Sequence, residues 1–164
     1  MADWNQLEIT LALAALIDAI DDTGAILYDR RTATEDAECL ALLQSQNDGE
    51  AKGWLVTLQQ ISEADTPNGC EIAQTLTFTL EAIYPYQRRR SDGTTSESGF
   101  RAMLGAVLAA LRADRQLGLD NKVYHGLVKS EEDFHMMDWS ATGQDGLLTH
   151  YGKFRLEVVN SVFV

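Results

Sequence analysis

The chain has 164 residues, of which 45% are hydrophobic and 23% charged, as expected of one ordinary globular domain and not of a disordered chain. Its formal net charge of −12, from 25 acidic and 13 basic residues, argues against general nucleic-acid binding unless the few cations lie on one face. The two cysteines, Cys39 and Cys70, lie far apart without a CxxC spacing, which argues against a disulfide framework or a zinc knuckle and favours folding in a reduced cytoplasm.

The N-terminal segment predicts a helix with two apolar sides. One side of the helical wheel carries Ile9, Leu13, Leu16, Ile17 and Ile20, and the opposite side carries Trp4, Leu7 and Leu11. A surface helix of a monomer needs one apolar side, so we expect another helix or another subunit to cover the second side. Thr10 and Asp18 interrupt the apolar stretch and no basic segment precedes it, so the segment predicts neither a membrane span nor a cleaved signal peptide.

The middle of the chain predicts an antiparallel pair of strands. After the first helix, residues 25–28 form a β-prone run, and a polar excursion with a short helical pattern then occupies residues 30–53. Alternating apolar residues predict one strand at 54–59 and a second, clearer strand at 75–84. Residues 67–69 read Pro-Asn-Gly and supply the chain reversal that places the two strands side by side.

The C-terminal half predicts a loop, a helix and two strands. Residues 87–98 have the composition of a mobile loop that ends in a helix cap. The helix that follows has one apolar stripe, formed by Phe100, Met103, Leu104, Val107, Leu108 and Leu111, while its reverse side holds the small residues Ala102, Gly105, Ala106 and Ala109. Residues 126–140 and 147–162 read as two final strands.

These elements predict an α+β fold in which a mostly antiparallel sheet of about four to five strands packs against two main helices. Neither an internal repeat nor a long polar linker divides the chain, so residues 1–164 are expected to form a single domain. The polar excursion at 30–53 and the mobile loop at 87–98 are the two irregular parts of that domain.

Motifs that carry chemistry are missing from the sequence. It has no P-loop, dinucleotide fingerprint, GxSxG elbow, HExxH pair or EF-hand loop, so we predict no catalytic residue, no cofactor and no metal site. The nearest approach to a metal site is Asp133, His135 and Asp138, because Asp133 and His135 share a face if their segment is a strand. Asp18, Asp21 and Asp22 are interpreted as the polar end of the first helix rather than as an acid and base pair.

One basic cluster stands out in this acidic chain, formed by Arg88, Arg89 and Arg90. It has two interpretations, which the sequence leaves open. The three arginines are either a solubilising loop or an anchor for DNA phosphate or for the acidic surface of a partner, since a guanidinium group offers a planar fork of donors.

The order of elements resembles a known family. The two-sided N-terminal helix leads to the strand GAILYDR, followed by the strands KGWLVTLQQI and TLTFTLEAIYPYQ, the helix SESGFRAMLGAVLAALRAD and the final strand YGKFRLEVVNSVFV. This order, over almost the whole chain, is similar to that of the tail terminator proteins of long-tailed bacteriophages, also called tail completion or neck proteins. The family is recognised by element order and has no signature residues.

The resemblance implies a structural virion protein that folds in the bacterial cytoplasm. Six copies would form a ring on the last ring of the tail tube, stop its growth and face the head–tail connector or stopper protein, while DNA passes through the centre without specific binding. The resemblance also implies that the protein has neither a cofactor nor catalytic residues. Subunit contacts are expected at the first helix and the sheet edges, with the arginine loop reaching a neighbouring ring; the candidate interface residues are Trp4, Leu7, Leu11, Arg88, Arg89 and Arg90.

Two alternatives remain at this stage. The chain is another head–tail joining subunit or a tail tube subunit, or it is a small enzyme that uses Asp133, His135 and Asp138.

Overall fold

The computed structural model describes residues 5–28, 36–47, 49–67, 69–87, 93–120, 123–127, 135–139 and 147–163. Within these ranges the chain forms three helices and six strands. In chain order they are α1 (Gln6–Asp18), β1 (Ala25–Leu27), α2 (Asp36–Gln46), β2 (Gly53–Asp65), β3 (Glu71–Pro85), α3 (Ser96–Ala113), β4 (Val123–Leu127), β5 (His135–Trp139) and β6 (Leu147–Phe163).

The strands form one mixed sheet in the order β1-β2-β3-β6-β4, and β5 pairs with another part of β6. The pair of β1 and β2 is parallel, and the other pairs are antiparallel. The predicted α+β class is therefore confirmed. The predicted strand at 126–140 was wrong in its bounds, because β4 and β5 are two separate segments that pair with different parts of β6.

Helices α1 and α3 cover one face of the sheet, which we call the helix face. Side chains of β3 that alternate along the strand point to this face and are fully buried: Leu76, Phe78, Leu80, Ala82 and Tyr84. Opposite them, α1 contributes Ile9, Leu13 and Ile17, and α3 contributes Phe100, Met103, Leu104, Val107 and Leu111. The predicted apolar stripe of α3 thus forms one core with one side of α1.

Helix α2 lies on the opposite face, which we call the outer face. Its buried residues Cys39 and Leu43 pack against Leu55 and Ile83, whose neighbours along the strands point to the helix face. A parallel connection between β1 and β2 needs a crossover, and α2 provides it. The predicted excursion at 30–53 therefore belongs to the architecture of the sheet, and it adds a third helix to the two that were predicted.

The β2–β3 hairpin extends beyond the cover that the helices give to the sheet. From Gln59 to Asp65 every residue of β2 is exposed, whereas from Gly53 to Val56 every residue is buried. A bulge between Leu58 and Gln60 marks the point where this change occurs. We call the residues 59–75 of the hairpin the arm.

A polar cluster ties the end of α1 to the sheet. Tyr84 donates a hydrogen bond of 2.6 Å to the carboxylate of Asp22, which also forms an ion pair with Lys52. Asp22 adopts a φ of 69°, in the left-handed region that aspartate tolerates better than most residues. Gly24 follows with a φ of 73°, and a Cβ atom there would lie 2.5 Å from the Lys52 carbonyl oxygen. The backbone approach that starts β1 beside β2 therefore requires glycine at this position.

The two sides of α1 predict different effects of the same substitution. Leu13→Ala should lower the free energy of unfolding by about 2–5 kcal/mol, because Leu13 is fully buried and its removal leaves a cavity. Leu11→Ala should lower it by less than about 1 kcal/mol, because Leu11 is 41% exposed. Urea unfolding of dilute monomer measures both values, and equal losses would contradict the placement of α1.

The Asp22 cluster predicts a second stability difference. Tyr84→Phe should lower the free energy of unfolding by about 1–3 kcal/mol, since it removes a hydrogen bond from a buried hydroxyl to a charged acceptor. Tyr86→Phe is the matched control and should change stability by less than about 0.5 kcal/mol, because Tyr86 lies on the surface. Thermal unfolding of the two variants side by side decides whether the cluster holds α1 to the sheet.

Candidate subunit interface

The side of α1 that points away from the sheet carries exposed leucines. Asn5 starts the helix through a capping box with Glu8, in which the side chain of each residue accepts a hydrogen bond from the backbone N–H of the other. The side of the helix away from the sheet then presents Leu7, 60% exposed, and Leu11, 41% exposed. Trp4, the third predicted interface residue on this side, lies outside the described residues. Two large apolar side chains are thus exposed on a helix whose other side packs Ile9, Leu13 and Ile17 into the core.

The reverse side of α3 is exposed and lined by small residues. Ala102, Gly105, Ala106 and Ala109 all lie on the surface, and a Cβ atom at Gly105 would meet no other atom within 4 Å. A neighbour can therefore approach the backbone of this helix closely.

The predicted arginine loop is closed at its base by hydrogen bonds. Arg88, Arg89 and Arg90 lie outside the described residues, but the chain on both sides of them is described. The N–H of Gln87 donates to Ser96 Oγ at 2.9 Å, and the N–H of Ser96 donates to the Gln87 carbonyl at 3.4 Å. Helix α3 begins at Ser96, with Thr95 as its N-cap, so the last three residues of the predicted loop at 87–98 are helical.

His150 supports the base of this loop from the sheet. Its Nε2 atom lies 2.8 Å from Ser96 Oγ, and its ring stacks on Phe100 and contacts Tyr86 at centroid distances of 5.4 and 5.6 Å. Because Ser96 Oγ accepts from Gln87, its own hydrogen can be donated to Nε2 when His150 is neutral. Burial lowers the pKa of His150 below its ordinary value, and the nearby negative charge of Glu97 opposes part of this effect.

His125 in β4 holds the turn that follows α3. Its Nε2 atom donates to the Asp114 carbonyl at 2.7 Å, and its backbone N–H donates to the Arg115 carbonyl at 2.9 Å. The ring is fully buried, and Nδ1 has no hydrogen-bond partner among the described residues. Burial lowers the pKa of His125, while its hydrogen bond to the Asp114 carbonyl raises it in part. No motif indicated a role for these two histidines, because their partners Asp114 and Ser96 lie 11 and 54 residues away in the chain.

Among the described strands, both lateral edges of the sheet have backbone that no other strand pairs with. β1 pairs with β2 only from Gly53 to Leu55, and no described strand pairs with the same side of β2 from Val56 to Asp65. At the other edge, no described strand pairs with the far side of β4. Exposed large side chains accompany both edges: Ile61, 39% exposed, on β2 and Tyr124, 56% exposed, on β4.

The β2–β3 hairpin carries carboxylates without basic residues. Between Gly53 and Gln87 the sequence has no lysine or arginine, and it has the carboxylates of Glu63, Asp65, Glu71 and Glu81. Three of these lie on the arm. The absence of basic residues over this range was the signal in the sequence that could have identified the hairpin as a distinct acidic surface.

The other candidates that the sequence offers lie partly outside the described residues. Asp133 lies outside the described residues, as do the side chains of His135 and Asp138, whose backbones belong to β5. Within the described ranges, no three side chains of His, Cys, Asp or Glu are grouped closely enough to hold a metal ion. Asp18 and Asp21 are exposed at the end of α1, and Asp22 belongs to the cluster with Tyr84 and Lys52.

Comparison with models of known protein families gives no match, and comparison with curated protein sequences gives none either. Among the described residues, no helix is both long and apolar enough to cross a membrane.

The two buried histidines predict a loss of stability in mild acid. Both pKa values are lowered from 6.5 by folding, so the unfolded chain binds more protons than the folded protein as the pH falls below that value. The free energy of unfolding should therefore be constant above about pH 7 and should fall as the pH drops through the folded pKa values. The double variant His125→Gln, His150→Gln should flatten this dependence between about pH 7.5 and 5.5, where carboxylates titrate little. Urea unfolding across that pH range measures the free energy of unfolding of both proteins. If this free energy falls with decreasing pH as steeply in the double variant as in the wild type, groups other than these histidines are responsible.

Proposed function

We propose that this protein is a ring-forming structural subunit of the head–tail junction of a long-tailed bacteriophage, with the role of a tail terminator. The observation that carries the proposal is the side of α1 away from the sheet, where Leu7 and Leu11 remain exposed although Ile9, Leu13 and Ile17 on the opposite side are fully buried. The α+β fold and the order of its elements are compatible with the resemblance in the sequence. The finer description, a mostly antiparallel sheet on two main helices, suits the same family, with α2 as an addition.

The energetics favour coverage of these leucines by another chain. Full burial of one leucine side chain stabilises a contact by about 1.5–3 kcal/mol, and both residues recur in every copy. A contact that repeats head to tail closes into a ring when the rotation between copies closes. The small residues on the reverse side of α3 provide a second surface that a neighbour can approach closely.

The charge of the chain suits the proposed position in the virion. A net charge of −12 repels DNA phosphates, so a duplex can pass through the ring without adhering to it. The tail tube protein on one side of the ring and the head–tail connector or stopper protein on the other are its proposed partners, and six copies are the proposed number. Arg88, Arg89 and Arg90 would then reach an acidic surface of a neighbouring ring. Folding takes place in the bacterial cytoplasm before assembly into the virion.

The proposal predicts that charged substitutions on α1 dissociate the ring. Leu7→Glu and Leu11→Glu should each weaken subunit association at least about tenfold, since each replaces a buried apolar contact with a desolvated carboxylate. Ser45→Glu, at an exposed position of α2, is the control and should leave association unchanged. Native mass spectrometry, alone and with tail tube protein, measures the assembly. A wild-type protein that stays monomeric and does not bind tube protein would refute the proposed function.

A tail tube or other joining subunit is the second candidate, and the open lateral edges of the sheet favour it. Tube proteins polymerise on their own, whereas a terminator stops at one ring. Negative-stain electron microscopy of the purified protein distinguishes stacked rings from single rings. The third candidate, an enzyme that uses Asp133, His135 and Asp138, predicts bound metal in the purified protein, which elemental analysis detects.

A further inference from the structure

We propose that neighbouring copies join by pairing the free edge of β2 in one copy with the free edge of β4 in the next, so that one sheet continues through each contact. This inference rests on the ring-forming function proposed above and names the surface that closes the ring. It follows from the register of the two edge strands, from their directions and from the faces to which their side chains point.

The two free edges lie at the same height along the strands. Ser62 of β2 is in register with Thr75 of β3, which is in register with Val159 of β6 and through it with Tyr124 of β4. By the same route, Glu63 shares a row with Val123, and Ile61 shares a row with His125. The five residues of β4 therefore lie level with the segment of β2 that β1 leaves unpaired. A rotation about an axis parallel to the strands brings the two edges together without a shift along that axis, as a closed ring requires.

The directions of the strands also fit. β2 is antiparallel to β3, β3 to β6, and β6 to β4, so β2 and β4 run in opposite directions. A rotation about an axis parallel to the strands preserves these directions. The β4 strand of one copy then lies antiparallel to β2 of the next, which is the more stable form of ladder.

Pairing at equal height keeps each side chain on its proper face. Ser62 and Tyr124 both point to the outer face, and Ile61 and His125 both point to the helix face, because residues in one row share a face. The contact would cover Ile61 and Tyr124, the exposed large side chains on the two edges. An offset of an odd number of residues would place apolar and polar side chains on the wrong faces.

Charge favours this contact over pairing of β2 with itself. The free part of β2 carries Glu63 and Asp65, so a two-fold contact between two β2 strands brings like charges alongside each other. The β4 sequence, VYHGL, contains no carboxylate. A two-fold contact also ends at a dimer and leaves both β4 edges open, whereas the contact of β2 with β4 uses both edges of every copy.

Disulfide cross-linking tests the contact directly. Cα atoms of directly opposed residues on antiparallel strands lie about 4.5–5.5 Å apart, within the range that a disulfide bridges. Within one chain, Ser62 and Tyr124 are separated by β3 and β6, so they lie about 14 Å apart and cannot form the bond. The variants S62C, Y124C and S62C/Y124C are made in a C70S background, which removes an exposed thiol. Both positions are exposed in the single chain, so folding should be preserved, and thermal unfolding under reducing conditions verifies this.

Of these three variants, we expect only S62C/Y124C to cross-link under mild oxidation. Its covalent species should increase in size from dimers up to the number of subunits in the ring. Q60C/Y124C and A64C/Y124C extend the test to offsets of two residues, and efficient cross-linking of either also supports pairing of these edges. E63C/Y124C is the control in which the two side chains point to opposite faces of the sheet, and it should not cross-link.

Three outcomes would overturn the inference. Covalent dimers of S62C alone would show that β2 pairs with itself. Rings seen by native mass spectrometry without cross-linking of any outer-face pair would exclude this contact while leaving the ring function intact. Monomers without cross-links, even with tail tube protein present, would exclude both the contact and the proposed function.

Discussion

The pairing of β3 with both of its neighbours is the constraint on which the rest of the structure depends. β3 pairs with β2 on one side and with β6 on the other over almost its whole length. β1 joins the sheet through β2, and β4 and β5 join it through β6. Because alternate residues of β3 are fully buried beneath α1 and α3, its register also fixes which face of every other strand meets the helices. A slip of one residue in β3 would turn its own core residues to the outer face.

Strands β2 and β3 extend beyond the part of the sheet that α1 and α3 cover. The arm is exposed for this reason. α1 and α3 cover the part of the sheet near Trp54 and Tyr84, whereas the arm has solvent on both faces of β2. β1 is only 3 residues long, and no other described strand pairs with that side of β2 beyond Leu55. A lone sheet with such an edge is exposed to unwanted pairing, and natural proteins limit this risk with bulges and charged side chains. The bulge at Gln59 and the carboxylates of the arm are features of this kind, and they oppose unwanted pairing at this edge.

Polar contacts fix the junctions between the elements. Asp22, Lys52 and Tyr84 hold the end of α1 against the sheet, Ser96 and His150 hold the start of α3, and His125 holds the turn after it. Each contact joins residues distant in sequence and lies at the border of the apolar core. Burial lowers the pKa of both histidines, so protonation in acid weakens these junctions. The same junction at Ser96 supports the base of the segment that contains Arg88, Arg89 and Arg90.

The sequence by itself determined the elements whose hydrophobic pattern is local. The alternation from Leu76 to Tyr84 predicted β3, the spacing from Phe100 to Leu111 predicted the buried stripe of α3, and the two-sided pattern of α1 predicted apolar residues away from its core side. Only the tertiary structure decided that α2 lies on the outer face, since the burial of Leu43 depends on Leu55 and Ile83. It also decided that β4 and β5 are separate, and that Ser62 and Tyr124 lie level on opposite edges. Those relations arise from pairing between distant strands, and the periodicity of one segment contains no information about the register of another.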